Sequence, residues 1–328
     1  MRIRWAARTS AIVGGFAVSA LFAYLAVRHV DWMRFRASIE HCNGWWLVPA
    51  FAVLAAGIFL RALRWRLLFP AQARPPIPAV TRALLVGTFF NNVLPGRPGE
   101  ALRVITLYQE TRTSRAAALG TAVSERVYDV VTLLVLFFVA LPWLPELTWL
   151  RRIGVFAGIV AILFIVLVAA LARWEERPVS YVLARIPGFS NRHEEVARDL
   201  VSGLVAMRTA RIAIPALAMS FAAIGVITVS FWLVTLAFHL HVGLGAGLLA
   251  MVATNLAMVI PSSPAALGVF EAATVVALHP YGIDRSDALS YAVVLHALNS
   301  IPFILVGLVL LPHHGLRALR ERRSEVAA

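Results

Sequence analysis

Apolar residues recur along this chain in long runs separated by short polar stretches. Six runs approach the roughly 20 residues that a helix needs to cross a bilayer: 11–28, 45–62, 117–141, 153–171, 212–238 and 288–311. Two further apolar regions, 77–110 and 246–279, are interrupted in the middle. The first breaks at Pro95, Gly96, Pro98 and Gly99, within NNVLPGRPGEALR, and the second at Pro261 and Pro264. Each arm, about 15 residues long, covers only half to two-thirds of a crossing at the rise of an α-helix. Proline withdraws a backbone donor and ends a helix. In lipid, the irregular backbone that results is tolerated only when buried in protein or lining a wet cavity. The pattern therefore predicts two re-entrant helical hairpins, although counting either as two spans gives the same sidedness.

The order of these elements predicts an architecture. Two spans, a hairpin and a span (1–141) are followed by two spans, a hairpin and a span (142–328), and the second set starts on the opposite side. The predicted fold is an all-α polytopic membrane protein, a single membrane domain of about six full spans plus two re-entrant helical hairpins in an inverted-topology repeat. Such repeats bring their broken helices together near the bilayer midplane. The breaks share a loose pattern, Asn91, Pro95, Pro98, Glu100 and Ala101 beside Asn255, Pro261, Pro264, Glu271 and Ala272, with different spacing.

Charge orients the array. Arginines flank the predicted inner ends: Arg2, Arg4 and Arg8; Arg61, Arg64, Arg66 and Arg74; Arg112 and Arg115; and Arg317, Arg320, Arg322 and Arg323. The positive-inside rule then places both termini in the cytoplasm. Arg151 and Arg152 are the exception. The N-terminus has the charge and apolar core of a signal peptide, but the run continues without a polar cleavage region, so a retained first span is expected. The segment 172–211 reads as cytoplasmic amphipathic helices lying on the interface. Trp45, Trp46, Trp143 and Trp149 read as interfacial anchors.

Composition agrees. The 328 residues are 60% hydrophobic and only 14% charged, where soluble domains run nearer a quarter charged. The net charge of +13 consists of arginine without lysine and sits beside apolar runs. It points to membrane flanks rather than to nucleic acid. Cys42 is the only cysteine, which excludes an intrachain disulfide or a cysteine metal cluster. His239, His241, His279, His313 and His314 have no ligand-like spacing. No metal or cofactor is expected.

Against this background a small set of polar residues falls at membrane depth. Arg97, Glu100 and Arg103 belong to the first hairpin, and Glu125, Arg126 and Asp129 to the third span. Glu271 lies in the second hairpin, and His296 and Asn299 in the last span. Glu125 and Asp129 share a helix face, with Arg126 three residues from Asp129. With a helix starting near Arg115 they lie about 15 and 21 Å along it. An unpaired charge at that depth costs on the order of 3 kcal/mol. These groups must therefore face one another or water. One reading is an internal ion-pair cluster that locks the hairpin to the third span, with Arg126 satisfied by Asp129 or Glu100. The other is a polar cavity for an anion. Guanidinium matches phosphate oxygens bidentately, and Arg97 lies at a break where a helix N-terminus also favours negative charge. Arg61, Arg64 and Arg66 read mainly as a cytoplasmic flank, with contact to lipid phosphates as the alternative. His296 is evenly balanced between packing and site.

Three blocks, LPGRPGEALR, SERVYDVVTLLVL and PSSPAALGVFEAA, resemble the signature blocks of the lysylphosphatidylglycerol synthase transmembrane-region family, also called flippase-like domain proteins. The resemblance covers roughly 10–312. It implies lipid flipping, and a place beside pathways for hopanoids, glycolipids or polyprenyl-linked glycans. By motif, Arg97, Glu100 and Arg103 match the first block, Glu125, Arg126 and Asp129 the second, and Glu271 the third. The family usually has a Gly-Gly pair where this chain has Ala265-Ala266. Alanine adopts positive φ less readily, so a tighter second hairpin or a different ligand is expected. The aminoacyl-transferase domain of the fused enzymes has no counterpart in these residues, and lysyl transfer is not expected.

The expectation is a lipid flippase-like transporter of the bacterial cytoplasmic (inner) membrane. It would bind a membrane phospholipid or a polyprenyl- or glycolipid through Arg97, Glu100, Arg103, Glu125, Arg126, Asp129, Glu271 and His296. An accessory or scaffold protein for a lipid-biosynthesis enzyme is the alternative, and a lipid-modifying enzyme is a third. No lipid-phosphatase motif, CDP-alcohol transferase motif or metal-binding aspartate pair is present.

Overall fold

A computed structural model describes residues 2–140, 209–258 and 262–327, together with positions 155, 158, 159, 162, 163 and 166. The fourth predicted span (153–171), most of 172–211, Trp143, Trp149, Arg151, Arg152 and Pro261 lie outside the described residues. Among the described residues all regular structure is helical. The helices are α1 (Arg2–Val27), α2 (Trp32–Glu40), α3 (Leu47–Leu67), α4 (Ile77–Val93), α5 (Gly99–Thr111) and α6 (Arg115–Ala140). After the gap come α7 (Ala210–Ala237), α8 (Leu244–Ala257), α9 (Val269–Leu278) and α10 (Arg285–Ala327).

Three segments are long and apolar enough to cross a bilayer: Gly44–Leu67, Ala210–Ala237 and Arg285–Leu310. Val13–Val27 and Trp32–Glu40, bent by 87°, supply a fourth if counted together. The 26-residue α6 is as long as these but carries Glu125, Arg126 and Asp129 along its length. Length and apolarity make this a multi-pass membrane protein. The sharp turn before α2 was not foreseen. Asp31 ends α1's run by capping α2, its carboxylate accepting from the Met33 and Arg34 amides at 2.9 and 3.2 Å. Trp32, Met33, Trp45 and Trp46 are exposed around this corner, where amphipathic side chains suit a membrane interface.

α3 and α7 form the central pair. Gly57 lets them approach, because a Cβ there would meet the Ile227 side chain at 3.0 Å. Ser230 donates to the Ala50 carbonyl at 2.7 Å across the same seam. On one side of the pair lies a core built from α3, α4, α5 and α6, with Trp65, Phe69, Val80, Leu84, Val104 and Leu107 buried in it. A larger core around Phe231, Met251, Phe270, Tyr291 and Leu295 is built mainly from α7, α8, α9 and α10, with Ala26 of α1, Ala50 of α3 and Phe137 of α6 joining it.

Both interrupted regions are broken helix pairs, with α4–α5 and α8–α9 as their arms. The four arms hold 17, 13, 14 and 10 residues, each short of the roughly 20 needed for a crossing. α4 and α5 run antiparallel. Arg82 pairs with Glu110 at the open end, Gly87 packs on Gly99 and Arg103, and Asn91 accepts from the Gly99 amide at 2.8 Å beside the break. Gly99 has no alternative here, since a Cβ on it would fall into the Gly87 carbonyl oxygen.

The backbone turns at the breaks through left-handed residues. In the first break these are Gly96 (φ 77°) and Arg97 (φ 54°), and in the second Ala265 (φ 55°), Ala266 (φ 57°) and Gly268 (φ 81°). The Ala-Ala pair thus adopts positive φ even without the family's glycines. Each left-handed alanine costs roughly 1–2 kcal/mol. The turn is held in that shape from both ends. Ser263 donates its amide to the Ser19 hydroxyl at 2.8 Å, the Ala266 amide reaches the Ser263 carbonyl at 3.0 Å, and the Gly268 amide reaches Glu271 at 2.6 Å.

Candidate functional site

The charged residues of α3, α5 and α6 converge on one carboxylate. Glu125 is fully buried. It accepts from Arg103 Nη1 at 2.8 Å and from Arg64 Nη2 at 3.0 Å, and Arg61 Nη2 stands 3.6 Å away. Arg64 is itself fully buried. Its Nη1 donates to Asp129 Oδ1 and to the Ser220 hydroxyl of α7, both at 2.6 Å. Arg126, one residue from Glu125, points about 100° around the helix and so reaches Glu100 on α5 at 2.9 Å and Asp129 at 3.4 Å. Arg103 closes the ring on Glu100 at 2.8 Å and lies over the Trp65 indole, 4.6 Å from the ring centroid. Trp65 in turn donates to the Thr121 hydroxyl at 3.0 Å.

Two features of this cluster bear on function. Glu125, Asp129, Arg64 and Arg103 lock α3, α5, α6 and α7 together, as the ion-pair reading required. The cluster is also unbalanced. Arg61, Arg64, Arg97, Arg103 and Arg126 face three carboxylates, Glu100, Glu125 and Asp129, leaving two positive charges in surplus. The surplus falls on Arg97 and Arg61. Arg97 is exposed at the first break, with Arg126 and Arg61 as like-charged neighbours and Glu100 as an opposite one. Among the described residues no carboxylate pairs with Arg97, and its Nη1 donates to the Met258 carbonyl at 2.8 Å. That carbonyl belongs to the C-terminal end of α8, so this bond links the two breaks.

Arg97, Glu100, Arg103, Glu125, Arg126 and Asp129 therefore come together as the sequence suggested. Glu271 and His296 come together as well, but with each other. His296 Nδ1 lies 2.6 Å from Glu271 Oε1, its ring is stacked on Phe270 at 4.4 Å, and both partners are buried. Neither has an ion pair with the arginine cluster. Asn299 bonds back to the Leu295 carbonyl of its own helix at 2.9 Å. Pro95 and Gly96 lie in the first break, Pro98 caps α5 and Gly99 opens it, and Pro264 lies in the second break. Among the described residues no group of His, Cys, Asp or Glu could hold a metal ion.

Arg64 corrects the sequence reading most. As a member of an arginine-rich helix end it read as a cytoplasmic flank, yet it is the central cation of the cluster. A signal was available. Glu125 and Asp129 stack on one face and Arg126 reaches only Asp129 of the two, so Glu125 called for a cation from another helix. Arg61 and Arg64, three residues apart, put two guanidiniums on one face of α3.

The sequence model of the lysylphosphatidylglycerol synthase transmembrane region matches residues 12–307. The UPF0104 membrane protein MJ1078 of Methanocaldococcus jannaschii is 22% identical over 239 residues, covering 72% of this chain and 99% of that protein. The match takes in both broken helix pairs and every member of the arginine cluster, and the chain belongs to the family of the lysylphosphatidylglycerol synthase transmembrane region.

Proposed function

We propose that the protein is a lipid flippase-like carrier, not an enzyme, that binds an anionic lipid headgroup at the first break. The carrying observation is the surplus of positive charge at Arg97 and Arg61, beside an otherwise neutralised buried cluster. A phosphate there would take bidentate bonds from Arg97, with Arg61 and Arg126 as further donors. It would replace the one neutral carbonyl that now holds Arg97. Glu100, Arg103, Glu125 and Asp129 position the arginines. A headgroup path would lead from Arg97 past Met258 to the second break and its Glu271–His296 pair.

The inverted repeat belongs to this reading. α5 packs on α6 as α9 packs on α10, and α3 and α7 meet at the centre, the arrangement expected of two related halves. Rocking one half against the other would break the Arg97–Met258 bond and expose the site to alternate sides. The arginine distribution supports both termini inside, and residence in the cytoplasmic membrane belongs to the same reading. The lipid is a phospholipid or a polyprenyl- or glycolipid.

The test is reconstitution into liposomes with fluorescent lipids of different headgroup charge. Anionic lipids should cross between leaflets faster with wild-type protein than with Arg97→Ala or empty liposomes. Equal rates in all three, across the whole lipid panel, would remove the carrier reading and favour a scaffold for a lipid-synthesis enzyme.

A further inference from the structure

The Glu271–His296 pair is left without a task by the arginine cluster, and its surroundings are unusually free of other ionisable groups. α8 has no titratable side chain, α7 has none over 212–237, and α9 has only Glu271. Over 13–27, α1 offers only the exposed Tyr24. On α4, Arg82 is committed to Glu110. On α10, Arg285 donates to the Leu25 carbonyl, Asp287 pairs with Arg34, and the Tyr291 hydroxyl donates to the Phe231 carbonyl. His279 lies exposed beyond the far end of α9. On α3 and α6, Arg61, Arg64, Glu125, Arg126 and Asp129 are engaged in the arginine cluster, Arg66 donates to the Pro75 carbonyl and Arg115 lies over the Tyr108 ring. The pair thus has no third ionic partner among the described residues.

We propose that Glu271 and His296 form a proton-binding site that sets the conformation of the second break. With a neutral imidazole, Nδ1–H donates to Glu271 Oε1 and the pair carries one negative charge. An incoming proton adds to Nε2, forming an N–H bond and giving an imidazolium–carboxylate pair of zero net charge. No other bond changes. A buried site distinguishes these two states strongly, because desolvation penalises net charge. The same carboxylate holds the break: Oε2 accepts from the Gly268 amide at 2.6 Å, two residues after the left-handed Ala265 and Ala266. Proton occupancy therefore acts on a backbone already under strain. It also acts near the C-terminal end of α8, where Arg97 is anchored.

The site itself stands on this geometry alone, while its effect on lipid movement rests on the carrier reading above. The test uses ¹⁵N-histidine-labelled full-length protein in lipid nanodiscs, titrated over the whole pH range in which the protein stays folded. The His296 ring is assigned in wild type by its contact with ¹³C-labelled Phe270, so no variant has to fold. The expected result is one resolved protonation step at His296. In Glu271→Gln, which keeps an oxygen for the Gly268 amide, the step should move by about one pH unit or more. A His296 ring whose signals do not change over the range overturns the site, and so does a step unaffected in a folded Glu271→Gln. A titrating His296 in protein that moves no lipid keeps the proton site and removes the carrier. Lipid movement with a silent His296 does the reverse.

Discussion

The two broken helix pairs share a backbone device and differ in the chemistry around it. Each turns through left-handed residues, and in each a close approach excludes a side chain: Gly99 against Gly87 in the first, Gly268 against Ser19 and Ala23 of α1 in the second. Around the first break stand five guanidiniums and three carboxylates. Around the second stands one carboxylate–imidazole pair. A strained break is thus a scaffold that does not determine its cargo. On the readings proposed above, the charge placed beside it decides which ligand it holds, an anion at the first break and a proton at the second.

The largest expected effect comes from the ionic side. Arg64→Met leaves Glu125 and Asp129 buried without their shared cation, and should destabilise the protein by about 3–5 kcal/mol, read as thermal unfolding in nanodiscs. A small loss would mean that water or another arginine already serves these acids. The comparable change at the second break, Glu271→Gln, removes charge but keeps an acceptor for Gly268. It should cost less, about 1–2 kcal/mol. Equal losses at the two sites would erase the contrast drawn here.

The backbone side should behave alike in both pairs. Gly99→Ala and Gly268→Ala each force a Cβ into main-chain atoms of a neighbouring helix, and each should cost about 1–3 kcal/mol or somewhat more. If one is tolerated, its hairpin packs less tightly than described. The smallest effect has the opposite sign. Ala265→Gly and Ala266→Gly relieve left-handed strain at the expense of a more flexible unfolded chain, and each should stabilise by about 0.5 kcal/mol. Destabilisation would mean that the alanine methyls contribute packing that outweighs the strain.

Much of this was legible in the chain. Proline and glycine in apolar runs announced both breaks, because those residues stop helices and permit positive φ. The helical spacing of Glu125 and Asp129 announced a shared charged face. Arg64 was hidden because the positive-inside rule explains an arginine at a helix end equally well whether it faces water or protein. Only the packing of α3 against α6 and α7 separates the two. The pairing of Glu271 with His296 was hidden for a related reason. They are 25 residues apart on different helices, and periodicity within one helix carries no information about which face meets another. The left-handed Ala265 and Ala266 ran against local preference and depend on contacts with Ser19 and Glu271 that no local pattern encodes.

The central claim, that the uncommitted arginine at the first break holds an anionic lipid, is tested most directly by native mass spectrometry. Wild-type protein and Arg97→Ala would be purified in the same mild detergent and their retained lipids identified. Arg97 makes one hydrogen bond to a neutral carbonyl, so its loss should cost no more than about 1 kcal/mol of stability and the variant should remain folded. The account predicts one anionic lipid class bound to the wild type and absent from the variant. A folded variant that keeps the same lipid, or a wild type that selects none, would contradict it.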